Sequence, residues 1–291
     1  MKPAAFEYSR PSTLDEACAL LAADDGARLI AGGQTLVPLM AMRLARPTRL
    51  IDIARIPELA YIREERGEIV IGATTKQCVA EDDPLVRSKL PLLAKVMPYV
   101  GHTPTRARGT IGGSLANADS AAEIVLVAVT LDATLVWRED GRDVETPASD
   151  FFLGPMVTAL PLAACLTAVR FPVWTESRTG VGFHEVNSRQ SDFAFVSAAA
   201  QVAIDPDGRC MRAAIGIGGA AAVPLRLDAV ADVLQGLPFD EAKVRDAVRV
   251  ALADIEPLAD LHASADYRRR AAATLAMRAI TDAFVSAARL G

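Results

Sequence analysis

Cysteine and histidine are scarce in this 291-residue chain, and neither is spaced to hold a metal. The four cysteines, Cys18, Cys78, Cys165 and Cys210, lie far apart with no Cys-x-x-Cys, so no zinc site or iron–sulfur cluster can be built from local spacing. They are expected to be buried, reduced thiols of a cytoplasmic protein. His102, His184 and His262 are equally dispersed, and Ser114 and Ser120 have no evident His partner, which leaves nucleophilic catalysis unsupported. Positive charge is also in short supply. The formal net charge is −5, and Arg268-Arg269-Arg270 reads as one solvated helix face, which argues against binding a nucleic-acid backbone. Long apolar runs are missing too: Ile124 to Leu131 stops at Asp132, well short of bilayer length. Met1-Lys2-Pro3 leads to Glu7 and Arg10 with no apolar core between, so no secretory leader is expected.

What is present is a globular composition, 51% hydrophobic and 23% charged, in a chain long enough for two domains. Two glycine pairs organise it. Ala31-Gly32-Gly33-Gln34-Thr35 lies between apolar Leu29-Ile30 and Leu36-Val37-Pro38-Leu39-Met40. Gly109-Thr110-Ile111-Gly112-Gly113-Ser114 precedes the small polar residues that run to Glu123 and an apolar helix. Adjacent glycines let the backbone take positive φ and let its N–H groups close on a bulky anion. Two such loops, each followed by Ser or Thr and a helix, suggest a ligand held from two sides, a pyrophosphate at one and the rest of a dinucleotide at the other. Gly216-Ile217-Gly218-Gly219-Ala220-Ala221 also aligns to G-x-G-x-x-A. Pro224 interrupts the helix that a Rossmann turn needs, and no later strand carries a ribose-binding acid.

Local signals place the elements. Thr13 with Glu16 forms a capping box for a helix from Leu14 to about Ala23. Pro38 fits only the first turn of a helix beginning near Leu36 and ending near Arg43 to Leu44. Hairpins are expected around Arg66-Gly67 and Asp140-Gly141, with prolines 84, 91 and 98 cutting the segment between them into short helices. Ser120-x-x-Glu123 reads as a second capping box for a helix from Ala121 to Asp132. After residues 175–180 the texture changes. Phe195 to Ile204 and Arg209 to Ile217 flank the turn Asp205-Pro206-Asp207-Gly208 and, with Val181 to Val186, predict a three-stranded antiparallel sheet. Helices over 228–235, 240–254 and 266–290 follow, so this part is α+β with strands first.

On these residues the chain resembles the FAD-binding medium subunit of the molybdenum hydroxylases, the group of xanthine, carbon monoxide and nicotinate dehydrogenases. Ala31-Gly32-Gly33-Gln34-Thr35-Leu36-x-Pro38 is similar to that family's first FAD loop, and Thr110-Ile111-Gly112-Gly113-Ser114-Leu115-Ala116-x-Ala118-Asp119 to its second. The likeness continues through Phe183 to Val196 and through Asp260-Leu261-His262-Ala263-Ser264-Ala265-Asp266-Tyr267-Arg268. It implies an α+β chain: an N-terminal FAD-binding domain of PCMH type over 1–175, made of two α/β subdomains of about 1–55 and 56–175. A C-terminal domain of the carbon monoxide dehydrogenase flavoprotein type would follow over 176–291, with the three-stranded sheet and a helical bundle. It implies FAD at Leu29, Ile30, Ala31, Gly32, Gly33, Gln34, Thr35, Leu36, Thr110, Ile111, Gly112, Gly113 and Ser114. Glu123 would meet a sugar hydroxyl, Phe193 the isoalloxazine, and Gly101 and Leu160 would lie near further flavin contacts.

The role it implies is electron relay from a partner's [2Fe–2S] clusters to an outside acceptor, within a dimer of heterotrimers. A large molybdopterin-binding subunit and a small iron–sulfur subunit would be the partners, with no catalytic residue and no metal in this chain. The chain departs from the family's common residues at Ser114 (often Asn), Ser120 (often Pro), Glu123 (often Asp) and Ser188 (often basic). Two other readings fit the glycines: a free-standing flavin oxidoreductase of the same fold using NAD(P)H, and a ligand-free scaffold in which they are turns only.

Overall fold

Three sheets of three or more strands follow one another along the chain in a computed structural model that describes residues 2–290. The first is small and parallel. Strands β1 (Glu7–Ser9), β2 (Arg28–Ile30) and β3 (Arg49–Asp52) lie in the order β1-β3-β2, with α1 (Leu14–Ala22) and α2 (Leu36–Ala41) as connections. Thr13 caps α1 as its sequence predicts, Oγ1 accepting from the Glu16 N–H at 3.2 Å. Glu16 returns to the Ser12 N–H at 2.9 Å rather than to the N-cap residue itself.

The second sheet is antiparallel and five-stranded, in the order β4-β5-β10-β6-β7. Its strands are β4 (Ile62–Glu65), β5 (Glu68–Gly72), β6 (Thr134–Glu139), β7 (Arg142–Pro147) and β10 (Cys165–Pro172), with the short pair β8 (Phe152–Gly154) and β9 (Val157–Thr158) beside them. Both hairpins turn where expected, because Arg66-Gly67 and Asp140-Gly141 supply the paired positive φ of a two-residue turn. Between them run α3 (Gln77–Asp82), α4 (Pro84–Lys89), α5 (Pro91–Val96), α6 (Thr103–Arg106), α7 (Ile111–Asn117) and α8 (Glu123–Thr130), and α9 (Ala148–Phe151) follows β7. Pro84 and Pro91 each open a helix, where the missing N–H costs nothing.

The third sheet has four strands, not three: β11 (Thr179–Val186), β12 (Val196–Ile204), β13 (Cys210–Gly218) and β14 (Leu225–Arg226). The last pairs only Leu225 and Arg226 to β13, too short to leave a periodic signal. Helices α10 (Asp228–Leu234), α11 (Glu241–Ala251) and α12 (Ala265–Ala288) complete this part. All nine residues of β12 are buried because helices cover both faces. Val196, Ala198, Ala200 and Val202 join the core beneath α12, whereas Ala199 and Phe183 join the core around α5 and α8. Helix α12 lies close on β11: a Cβ at Gly182 would come within 2.0 Å of the Ala279 carbonyl oxygen. The G-x-G-x-x-A look-alike ends β13 and opens no helix.

Of the four cysteines, all free, Cys165 and Cys210 are buried, while Cys18 and Cys78 are partly exposed, contrary to the expectation of four buried thiols. No helix among the described residues is long and apolar enough to cross a membrane.

Candidate functional site

The two glycine segments, about eighty residues apart in sequence, meet. A Cβ on Gly32 would lie 2.5 Å from the Arg108 carbonyl oxygen and 2.7 Å from the Gly109 Cα, so only glycine allows the β2–α2 turn to pack on the chain leading to α7. Gly33 adopts φ +68°, which turns the backbone from β2 into α2. The Gln34 side-chain amide braces this turn by donating to the Gly32 carbonyl at 3.1 Å, while the Thr35 side chain makes no cap bond to α2.

The second glycine pair is not a loop. Ile111 to Ser114 form the first turn of α7, capped by Thr110, whose Oγ1 accepts from the Gly113 N–H at 2.9 Å. Neither glycine has positive φ. Gly112 is required by proximity instead, since a Cβ there would sit 2.5 Å from the Ala73 Cβ and 2.6 Å from its Cα. An added Cβ on Gly113 would approach only the Thr110 side chain within 3 Å, and the residue lines the cleft described below.

Ser120 and Glu123 do not form a capping box. Helix α8 begins at Glu123 with Ala122 as N-cap, two residues later than the pattern implies. Asp119 takes the turn first: its Oδ1 accepts from the Ala121 N–H at 2.9 Å and its carbonyl from the Ala122 N–H at 3.0 Å. The Glu123 side chain is therefore free of capping duty. It is 8% exposed, and burial, with Glu185 and Asp119 adding like charge, pushes its carboxyl up to about 8.

Between these segments lies a cleft of 580 Å³, within the usual range for ligand pockets. Its walls include Leu29, Ile30, Ala31, Gly32, Gly33, Gln34, Thr35 and Leu36 from the first segment and Thr110, Gly112, Gly113 and Ser114 from the second. Glu123, Gly101, Leu160 and Phe193 line it as well. Ile111 alone among the residues singled out from sequence does not; it is fully buried in the core behind α7. Phe193 reaches the cleft from the β11–β12 connection and stays 73% exposed, although full burial of a phenylalanine is worth about 1.5–3 kcal/mol.

Sequence reasoning missed several wall residues. Arg28, Ile53, Ala73, Gln77, Val100 and His102 also line the cleft, as do Asn117, Asp119, Ser191 and Asp192. Asp119 ends the second glycine motif, whereas Gln77 carries no signal of its own. It is buried, its Oε1 has no partner, and that atom would lie 2.4 Å from a Cβ on Gly109. Arg106 acts behind the wall: it donates to the Gly101 carbonyl at 2.8 Å and to Glu81 Oε2 at 2.7 Å, holding Gly101 at φ +52°. Among the described residues, no group of three or more His, Cys, Asp or Glu is placed to hold a metal ion.

The residues suit a dinucleotide carrying a flavin. Two closely approaching backbone turns stand at one side, the Glu123 carboxyl lines the wall where it can meet a hydroxyl, and an uncovered aromatic ring faces the space between.

Comparison with known proteins agrees. A family model described as the FAD binding domain in molybdopterin dehydrogenase matches residues 4–174, and one described as the CO dehydrogenase flavoprotein C-terminal domain matches residues 182–283. The 6-hydroxypseudooxynicotine dehydrogenase complex subunit alpha of Paenarthrobacter nicotinovorans is 33% identical over 284 residues, 97% of this chain and 96% of that one. Among solved structures, carbon monoxide dehydrogenase from Hydrogenophaga pseudoflava superposes with a TM-score of 0.94 at 34% identity, covering 98% of this chain and 99% of that chain. Quinoline 2-oxidoreductase from Pseudomonas putida 86 gives 0.93 at 36% identity, covering 99% of each.

Proposed function

The chain belongs to the family of FAD-binding medium subunits of the molybdenum hydroxylases, and from that premise we propose that it is the electron relay of such a complex. Electrons would arrive from the [2Fe–2S] clusters of a small iron–sulfur subunit and leave to an external acceptor, while a large molybdopterin subunit hydroxylates the substrate. Bound FAD supplies a redox centre able to accept electrons singly and deliver them in pairs. The observation that carries this reading is the convergence of both glycine turns and Phe193 on one cleft.

In this reading the chain's own residues bind and orient. Backbone N–H groups of Ala31 to Thr35 hold the phosphates. Thr110 to Ser114 contact them through small residues that permit close approach, because the N–H groups of Ile111 to Ser114 are already donated to Thr75, Ala73 and Thr110. Ile111 anchors that turn from the core, and Leu29, Ile30 and Leu36 supply apolar wall. Glu123 accepts a hydrogen bond from a sugar hydroxyl, Gly101 and Leu160 flank the ring system, and Phe193 covers it. The 1–55, 56–175 and 176–291 division is proposed on the succession of three sheets. We further propose a dimer of heterotrimers in the cytoplasm.

The purified chain with FAD bound should not hydroxylate aromatic heterocycles or aldehydes with an artificial dye as acceptor, and should support turnover once the two partners are co-expressed. Hydroxylation by the lone chain, or a native pull-down without molybdenum and iron, would contradict the relay.

A further inference from the structure

Phe193 has little to hold it in place. With its ring 73% exposed, its position over the cleft is set by the backbone of the 187–195 connection between β11 and β12. That connection is closed at its base by the Phe195 N–H donating to the Val186 carbonyl at 2.7 Å, and inside by the Asp192 N–H donating to the Arg189 carbonyl at 3.0 Å. Ser191 between them stands at φ +68°, a conformation that a serine keeps only when its surroundings impose it.

One side chain spans the loop. Asn187 Nδ2 donates to Glu185 Oε1 at 2.8 Å and reaches the Asp192 carbonyl at 3.5 Å, so one amide touches the strand end and the residue next to Phe193. Its anchor is unusual. Glu185 Oε2 is buried without a partner, as is the Ser197 Oγ directly across the sheet. A buried carboxyl without a cation is costly, and burial pushes Glu185 up to about 7 even though Asn187 holds one oxygen. An acid retained there, its one hydrogen-bond donor being the loop's own asparagine, serves the loop rather than the core.

We infer that Asn187, anchored on Glu185, is a positioning residue that fixes the 188–193 loop and, through it, the Phe193 ring over the flavin. The inference rests on the FAD reading of the cleft. It requires that loss of the amide free the ring without loosening the fold, and that the effect vanish when the ring is already gone.

The test uses the FAD-bound chain, iodide quenching of flavin fluorescence and urea unfolding. Asn187→Ala should raise the quenching constant at least about two-fold, to the level of Phe193→Ala, and the Asn187→Ala/Phe193→Ala double variant should rise no further. The urea midpoint of Asn187→Ala should stay at the wild-type value. Glu185→Gln, which keeps an oxygen to accept the Asn187 amide, should quench as wild type, whereas Asn187→Asp should behave as the alanine variant. Wild-type quenching in Asn187→Ala, or full additivity with Phe193→Ala, would overturn the inference while leaving the FAD reading intact. A wild-type chain that holds no FAD would overturn both.

Discussion

The two glycine pairs share their letters and differ in their physics. At Gly32-Gly33 the chain needs a tight turn: one glycine takes positive φ, the other yields to the backbone of Arg108 and Gly109. At Gly112-Gly113 the backbone is ordinary helix with a threonine cap, and the absent side chains make room for Ala73 behind and for the cleft in front. One dipeptide thus serves as a hinge of the wall in one place and as clearance in the other. A motif reports that space is needed without saying on which side.

Substitutions can separate these uses. The largest effect is expected at Gly112: Gly112→Val drives two methyls into the Ala73 backbone, and overpacking of this kind should cost about 3 kcal/mol, read as a drop in urea midpoint. Gly113→Asp should do the opposite, sparing the fold apart from about 1 kcal/mol for the disturbed Thr110 cap. Its carboxylate faces the cleft, so FAD affinity should fall about 100-fold by like-charge repulsion, as measured by flavin titration. Full FAD occupancy in that variant would place the phosphates elsewhere. Gly33→Ala should be milder, costing about 1 kcal/mol for a left-handed alanine, with the new methyl 3.2 Å from Val37 Cγ2.

Glu123 gives the smallest effect on folding and a pH signature. Its carboxyl, raised from the ordinary 4.5 to about 8, keeps a proton in the native chain that the unfolded chain has released. The stability it contributes is therefore complete below the ordinary value, lost as pH rises, and level again above about 8. Glu185, raised to about 7, acts with the same sign. Ligand-free chain should thus unfold at lower urea at about pH 8.5 than at about pH 6, and Glu123→Gln should flatten part of that slope. With no cap to maintain, Glu123→Gln should leave the helix intact. It should weaken FAD by about 10-fold if the carboxylate accepts the sugar hydroxyl.

Much of the fold could be read from sequence because its signals are local. Arg66-Gly67, Asp140-Gly141 and Thr13 announce their turns and cap through backbone preferences that need no partner. The cleft was legible where the motifs run, from Leu29 to Leu36 and from Thr110 to Ser114. What was not legible depends on other parts of the chain. Ser120-x-x-Glu123 reads as a cap until Asp119 claims the turn. Gly112-Gly113 reads as a loop until Ala73 packs on α7, and β14 exists only as a short partner of β13. Gln77 and Arg106 support the wall through contacts with Gly109, Gly101 and Glu81, which no spacing along the chain reveals.

One ligand gripped by both glycine segments would have its phosphates at the turns and its ring beneath Phe193. Titrating the flavin-free chain with FAD and with riboflavin tests this directly. Charge-assisted contacts to the phosphates predict that FAD binds about 1,000-fold tighter, whereas equal affinity for riboflavin would show that the turns hold nothing and would contradict the two-sided grip.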